Sequence, residues 1–374
     1  MNGHARKMKV AHLTSVHVAS DTRILYRECA TLAAAGYDVV LIAAEGSPAL
    51  PPGVRLRTVG APRNRVDRMS RTVWRVYRAA LEERADIYHF HDPELMGIGL
   101  LLRMHGARVI FDVHEDIPYD IADKVWIAPP LRPPVAAASA VVLRAMQGLY
   151  SGVVTATPAI ARRFRNEHTV VVRNYPSLEE LPQGPSPSFA DRPANVVYVG
   201  SITELRCAFE MVRAMASASI PAGTRLQLAG LFEDDPLERK VRALPGAQNV
   251  EFLGYCARSR VNALLTNARA GLLLFQPAAN HDEAVPNKLF EYLGAGLPVI
   301  ISNTMQCSSV VREHDCGVVV DPNDLEQIAK AIAYLVDNPA AAQAMGERGR
   351  MLVREKFQWT SEATKLTQLY AAIA

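Results

Sequence analysis

Short apolar runs alternate with amphipathic stretches along almost the whole chain. Met8–Leu13, Val39–Ala43, Ile87–Phe90, Val109–Val113 and Val153–Ala156 have the continuous apolar character of strands buried on both faces, as in a parallel sheet. Asp21–Ala35 carries helical spacing and stops at Gly36, a residue suited to a left-handed helix end. The alternation breaks between Tyr175 and Pro193, where Pro176, Pro182, Pro185, Pro187, Pro193 and Gly184 predict a stiff polar connector. A second series begins at Asn195, with Val196–Val199, Arg225–Ala229, Val250–Leu253 and Gly271–Phe275 as strands and helices from Asn323 onward. The expectation is an α/β chain with two doubly wound domains. Residues 1–176 form the first, 177–194 a linker, 195–355 the second and 356–374 a closing helix.

A chain of 374 residues exceeds one typical core and suits two. A net charge of +3 argues against a dedicated nucleic-acid binder, and aromatic base-stacking motifs are missing. The five cysteines show no C-x-x-C pairing and no histidine at zinc spacing, so they read as buried small hydrophobes or free thiols. No apolar run reaches a membrane-spanning length, and the start lacks the apolar stretch of a signal peptide. A cytoplasmic protein is expected. Strand–helix alternation would also fit a two-domain dehydrogenase. However, the loop after the first strand, Ser15-Val-His-Val-Ala-Ser-Asp21, contains no glycine and no G-x-G-x-x-G.

The segment with most chemical content is Glu283-Ala-Val-Pro-Asn-Lys-Leu-Phe-Glu291, followed by Tyr292-Leu-Gly-Ala-Gly-Leu-Pro-Val-Ile-Ile. Its two carboxylates lie eight positions apart, a little over two helical turns, so both fall near one face of a helix. Pro286 suits the first helical position, Gly294 and Gly296 the end, and Leu297–Ile301 the next strand. A helix start offers backbone N–H groups and partial positive charge to phosphate. Carboxylates on either side of a diphosphate could bind hydroxyls of a hexose and of a ribose. The spacing alone fits equally well a capped surface helix with two solvated glutamates.

The longer string Pro286-Asn-Lys-Leu-Phe-Glu-Tyr-Leu-Gly-Ala-Gly-Leu-Pro-Val-Ile300 resembles the donor-site signature of retaining glycosyltransferases of family GT4, with Glu283 and Glu291 as its E-x7-E frame. Tyr198-Val-Gly-Ser-Ile-Thr-Glu-Leu-Arg206, Val250-Glu-Phe-Leu-Gly-Tyr255, Gly317-Val-Val-Val-Asp-Pro322 and Lys356-Phe-Gln-Trp359 are similar to further GT4 segments, in the family's order. In the first half, Phe90-His-Asp-Pro93 and Phe111-Asp-Val-His-Glu115 resemble a clade that builds polysaccharides. The resemblance implies the GT-B fold: two Rossmann-like domains facing across a cleft, with the last helix crossing back to the N-terminal domain.

It also implies roles. Arg206, near the start of a helix after Gly200, stands where the family places a diphosphate-binding lysine; Ser201 stands where an arginine is common. Glu291 would accept from ribose hydroxyls and Glu283 would hold the transferred sugar. Pro286, Asn287 and Lys288 would meet the diphosphate, and Tyr255 and Cys256 the base. His114 would meet the transferred sugar and help the reacting centre. His91, Asp92, Asp21, Arg23 and Glu115 would lie on the acceptor side. Taken alone, a single histidine is more often structural and Asp21 suits an N-cap. The catalytic set implied is His114, Glu283 and Arg206. No carboxylate is an obvious nucleophile for double displacement. The family implies front-face substitution instead, with fixed positive groups stabilising the departing diphosphate. No metal and no cofactor are expected, and Glu233-Asp-Asp-Pro236 reads as a surface turn.

Arg63, Arg65, Arg68, Arg71, Arg75 and Arg78 alternate with Met69, Val73, Trp74 and Tyr77. Such a basic amphipathic helix fits an anionic membrane surface or a solvated domain face. The family often sets this region against the inner leaflet, and Trp126-Ile-Ala-Pro-Pro-Leu-Arg-Pro-Pro134 and Val135–Met146 could add an acceptor-facing or membrane-facing lobe. The expected partners are a nucleotide-sugar donor, a UDP-sugar by family habit, and a glycan or lipid-linked acceptor. The alternatives are tailoring of a soluble small molecule, a non-hydrolysing sugar epimerase and a non-catalytic nucleotide-sugar binder.

Overall fold

The computed structural model describes residues 6–123, 127–183, 187–277 and 286–374. The chain divides into two compact units, Met1–Asn174 with Trp359–Ala374, and Tyr175–Gln358.

The first unit is built on a parallel sheet of seven strands: β1 (Lys9–Leu13), β2 (Asp38–Ala43), β3 (Val54–Thr58), β4 (Ile87–Phe90), β5 (Arg108–Val113), β6 (Gly152–Thr155) and β7 (Thr169–Val171), in the order β3-β2-β1-β4-β5-β6-β7. Strand order reverses between β1 and β4, and the carboxyl ends of those strands are where a doubly wound sheet opens to ligands. β3 and β7 were not among the strands expected. Val54-Arg-Leu-Arg-Thr58 alternates polar with apolar residues, as an edge strand does, and β7 has only three residues.

Each face of this sheet has its own core. Ala11, Leu13, Tyr88, Phe90, Val109, Phe111 and Val113 pack on one side. Val10, Leu41, Ile87 and Ile110 pack on the other with Ile24, Leu25 and Leu32 of the first helix and Trp359, Leu366, Leu369 and Tyr370 of the closing helix. The first helix starts in a wider π-helical winding, Thr22–Cys29, and ends as a short α-helix, Ala30–Ala34. The closing helix, Trp359–Ile373, belongs to the first unit. Trp359 Nε1 donates to Thr31 Oγ1 at 2.8 Å, and Glu362 accepts from the backbone N–H of Arg173 at 2.8 Å.

The second unit has six parallel strands: β8 (Asn195–Val199), β9 (Arg225–Ala229), β10 (Val250–Gly254), β11 (Ala270–Leu273), β12 (Val299–Ser302) and β13 (Gly317–Val320), in the order β10-β9-β8-β11-β12-β13. Order reverses between β8 and β11. The proline-rich stretch expected as a linker packs within this unit: Tyr175, Leu181 and Phe189 are all buried in its cores. All five cysteines are free, and Cys256 alone of them is not buried. No helix among the described residues is long and apolar enough to cross a membrane.

Because Trp359 anchors the closing helix by burial and by its indole N–H, Trp359→Ala should cost the first unit about 3–5 kcal/mol. Urea denaturation should show a lowered midpoint for that unit; an unchanged midpoint would mean the helix docks without its anchor.

Candidate functional site

Two places gather the candidate residues, one in each unit, both at the carboxyl ends of strands flanking an order reversal. In the second unit β8 ends at Gly200, whose φ of +132° suits glycine alone. A Cβ there would lie 2.3 Å from Cε and Nζ of Lys288, and a Cβ on Gly230 would lie 1.8 Å from the carbonyl oxygen of Gly200. Gly230 in turn donates to the carbonyl of Gly254 at 2.8 Å. Three glycines at the ends of β8, β9 and β10 thus line this floor, and at Gly230 only a glycine fits against the Gly200 backbone.

The helix Asn287–Gly294 begins beside this floor, its Lys288 side chain over Gly200, with Pro286 one place earlier than expected, at the N-cap. No side chain caps that start. At the other end Gly296, with φ +73°, lets the N–H of Leu297 return to the carbonyl of Tyr292 at 2.9 Å. Tyr292 is buried, and its hydroxyl accepts from Val199 N at 2.8 Å, tying the helix to β8. Lys288 Nζ lies 3.3 Å from the Tyr198 hydroxyl and 4.8 Å from the centre of its ring. Burial, with Arg206 nearby, lowers the Lys288 pKa to about 7, against the pull of Glu291.

Arg206 ends a short turn, Glu204–Arg206, capped by Thr203, and donates to the carbonyl of Ser201 at 3.2 Å. Glu291 is paired with Arg258 at 3.0 Å, and Arg258 also donates to the carbonyl of Glu180. Tyr255 is 78% exposed just past β10, and Cys256 follows it partly buried. Asn287 is partly exposed at the first helical position. Glu283 lies outside the described residues. Asp234, within the acidic stretch expected as a turn, caps the helix Asp235–Arg242.

The first unit holds a buried polar cluster that the sequence exposes only in part. Alternation along β1, β4 and β5 sends His12, His89, His91, Asp112 and His114 to one face of the sheet, beneath the first and closing helices. Asp112 is the anchor. Arg23 grips it with Nε to Oδ2 at 3.1 Å and Nη2 to Oδ1 at 3.0 Å, and sends Nη1 to the carbonyl of Val172. His91 Nδ1 lies 3.2 Å and His114 Nε2 3.0 Å from Asp112 Oδ2. Burial would raise the Asp112 pKa, but Arg23 and these hydrogen bonds hold it well below the usual carboxylate range. His12, His89 and His91 are driven down by burial, His91 to about 4 even with Asp112 beside it.

Glu28 has its carboxyl buried, with Arg23 Nε 2.9 Å from Oε1 but aligned on Asp112, so neither Glu28 oxygen receives a hydrogen bond. Burial first, and the Asp112 charge next, raise its pKa well above the carboxylate range. Glu28, His89, His91 and Asp112 bring ligand atoms within 4.8 Å of one another, a donor set suited in type to a divalent ion. Arg23 already offsets the Asp112 charge, and a proton on Glu28 leaves the group balanced. A divalent ion would leave uncompensated buried charge, at a cost of several kcal/mol.

The remaining candidates fall around this cluster. Asp92 is buried and accepts from Thr14 Oγ1 at 2.8 Å and from the N–H groups of Ser15 and Val16 at 2.6 and 3.1 Å, so it holds the glycine-free loop in shape. Asp21 caps the first helix through Ile24 N at 3.0 Å. His17 stands between Asp21 and Asp92, at 3.6 and 3.4 Å, and their charges hold its pKa above the usual value in spite of burial. Its ring lies 4.9 Å from that of His114. Arg23 is buried under the sheet face, and Glu115 is exposed. His12, His17, Glu28, His89, Asp112 and Tyr370 were missed, although the alternation in Tyr88-His-Phe-His91 and Phe111-Asp-Val-His114 was there to find.

Around the arginine run lies an open hollow of about 740 Å³, lined by Arg63, Arg71, Arg75, Arg78 and Trp74 among others. Arg68 turns to Glu94 at 2.9 Å, and Arg75 donates to Val59 O and Thr72 Oγ1. Among the described residues Arg63, Arg71 and Arg78 have no side-chain partner, and Trp74 is half exposed.

Protonated Glu28 gives a stability effect of known sign. Its folded-state pKa is raised, so its contribution is complete below the unfolded value of 4.5 and declines as pH rises above it. Glu28→Gln removes that titration. The urea midpoint of the variant should therefore gain on that of the wild type with rising pH above 4.5; a gap that narrows would show Glu28 ionised in the fold.

Comparison with known proteins completes the description. Residues 22–174 match the family model "Glycosyl transferase 4-like domain" and residues 185–351 match "Glycosyl transferases group 1". Glycogen synthase of Mycobacterium tuberculosis is 28% identical over 182 residues, which are 48% of this chain and 43% of that protein. The match thus spans less than half of the relative's length. A GDP-mannose-dependent alpha-(1-6)-phosphatidylinositol monomannoside mannosyltransferase of the same species is 36% identical over 76 residues, 20% of each chain. Among solved structures, sucrose-phosphate synthase from Thermosynechococcus elongatus superposes with a TM-score of 0.75 at 21% identity, covering 98% of this chain and 99% of that one. HepE of Anabaena, solved in complex with UDP-glucose, gives 0.69 at 14% identity over 98% and 100%. With both sheets, both order reversals and both family segments in place, the chain belongs to the group 1, or GT4, glycosyltransferases and has the GT-B fold.

Proposed function

We propose that the protein transfers a hexose-type sugar from a nucleoside diphosphate sugar to an acceptor hydroxyl, with retention of anomeric configuration. The observation that carries this is the cationic, glycine-floored end of β8. Lys288 and Arg206 stand there beside an uncapped helix start, and Gly200, at a φ of +132°, leaves the place of a side chain to the Lys288 amine. In this proposal Lys288, Arg206 and the N–H groups after Pro286 receive the diphosphate. Lys288 supplies the charge that Ser201 cannot. Glu291 exchanges Arg258 for the ribose hydroxyls, Tyr255 and Cys256 border the base, and Glu283 and His114 meet the transferred sugar. His91, Asp92, Asp21, Arg23 and Glu115 shape the acceptor side.

Positive groups fixed before the reaction stabilise charge on the departing diphosphate without reorganising. On this account a phosphate oxygen of the leaving group takes the acceptor's proton, and no divalent ion is needed. UDP is the proposed nucleotide, in line with the relative solved with UDP-glucose; the GDP-mannose-dependent relatives make GDP the competitor in the test. The acceptor is proposed to be a lipid-linked glycan in polysaccharide assembly, on the cytoplasmic face of a membrane, with Arg63, Arg71, Arg78 and Trp74 against anionic headgroups.

A thermal-shift screen of UDP-, GDP- and TDP-sugars should raise the melting temperature with one nucleotide class, equally with and without a chelator. The shift should shrink as pH rises through about 7, where Lys288 loses its proton, and vanish in Lys288→Met. No shift with any donor would overturn the assignment. For the basic hollow, the chain should sediment with anionic liposomes at low salt and release with added salt. Failure to sediment at low salt would remove the membrane contact.

A further inference from the structure

The cluster under the first unit's sheet fixes where the protons on its rings must sit. Asp112 is ionised because Arg23 grips both its oxygens. Only a protonated ring nitrogen can bond such a carboxylate, so His91 carries its proton on Nδ1 and His114 on Nε2. The two nitrogens lie 3.1 Å apart because they share one acceptor, Asp112 Oδ2. His91 Nε2 then has a lone pair and takes the proton of His12 Nδ1 at 2.9 Å. His12 Nε2 in turn faces the Tyr370 hydroxyl at 3.4 Å, whose oxygen receives His89 Nδ1 at 2.8 Å. One assignment satisfies the whole chain of contacts, and Asp112 sets it from one end.

At the other end of Asp112's influence stands His114, part-exposed, the only ring of the four on strand carboxyl ends that keeps solvent access. With Nε2–H committed to Asp112, Nδ1 of the neutral ring presents a lone pair, and no partner among the described residues takes it. We propose that Asp112 is a positioning residue that holds His114 as an Nδ1 acceptor, so that His114 receives a hydrogen bond from a hydroxyl of the transferred sugar. This rests on the donor assignment above. Arg23 keeps Asp112 charged, and Asp112 holds the His114 ring through Nε2, so the acceptor is formed before any sugar arrives.

The test begins with the wild-type full chain, labelled with nitrogen-15 in histidine and read by long-range nitrogen–proton correlation at neutral pH. The His114 signals are assigned by their loss in His114→Asn. A proton on Nε2 and none on Nδ1 is the expected result; a proton on Nδ1, in the opposite tautomer or in the imidazolium, overturns the proposal whatever the enzyme does. The second arm measures nucleotide release from the nucleotide sugar found in the donor screen. Asp112→Asn should cut kcat about a hundredfold with donor KM within about twofold, because an amide can present N–H to Nε2 and reverse the ring. The asparagine variant at 114, whose amide oxygen can occupy the place of Nδ1, should retain more turnover than His114→Gln, which reaches the place of Nε2. A folded Asp112→Asn enzyme with unchanged kcat would refute the role. Absence of donor binding in the wild type would sink the transferase assignment instead, and the tautomer measurement stands apart from it.

Discussion

The bidentate pair between Arg23 and Asp112 is the constraint on which the first unit's chemistry depends. Both groups are removed from solvent, and each is tolerable there only because of the other. Removing either would strand a buried charge, at about 3–5 kcal/mol. The pair also explains why the neighbours are what they are. Burial, and then the Asp112 charge, raise the Glu28 pKa, since the nearby cation is already committed to Asp112. His12, His89 and His91 are kept unprotonated by burial, and they find partners in one another and in Tyr370. A polar cluster of this size would be costly if partly satisfied; Glu28 and His89 Nε2 lack partners, whereas Arg23, Asp112, His12, His91 and Tyr370 all find theirs.

The second unit solves a different problem with little polar burial. Its candidate site is floored by glycines: a methyl group on Gly230 would overlap the Gly200 backbone, and one on Gly200 would meet the end of the Lys288 side chain. Charge is then supplied from the sides by Lys288 and Arg206. Tyr198 is shared between these tasks, its ring under Lys288 and its hydroxyl bonded to Ser201 O. The arginine usual in the family after the Val-Gly pair is thus replaced by a serine whose carbonyl organises Arg206 and Tyr198.

Much of the fold was legible because parallel strands buried on both faces read as apolar runs, and Ile87–Phe90, Val196–Val199 and Val250–Leu253 are found as strands near those bounds. Edge strands were not, since Val54–Thr58 alternates and Thr169–Val171 is too short to stand out. In the site, His114 and His91 were visible as residues following strands. Asp112 was not, because a carboxylate inside an apolar strand looks like a flaw until its partner is known, and Arg23 is 89 residues away. Tyr370 lies further still, 281 residues from His89, and nothing local in either segment announces the contact. Register along a strand can be read from alternation, whereas pairing between distant segments depends on topology.

That last contact bears on how the chain comes to be folded during synthesis. Tyr175–Gln358 is continuous in sequence and can close as soon as it has left the ribosome. The unit made first cannot, since its sheet lacks a cover over His12 and His89 until Trp359–Ile373 has emerged. The nascent chain therefore carries an open apolar and imidazole-lined face until Trp359–Ile373 has been made. During that interval its protection must come from something other than its own fold.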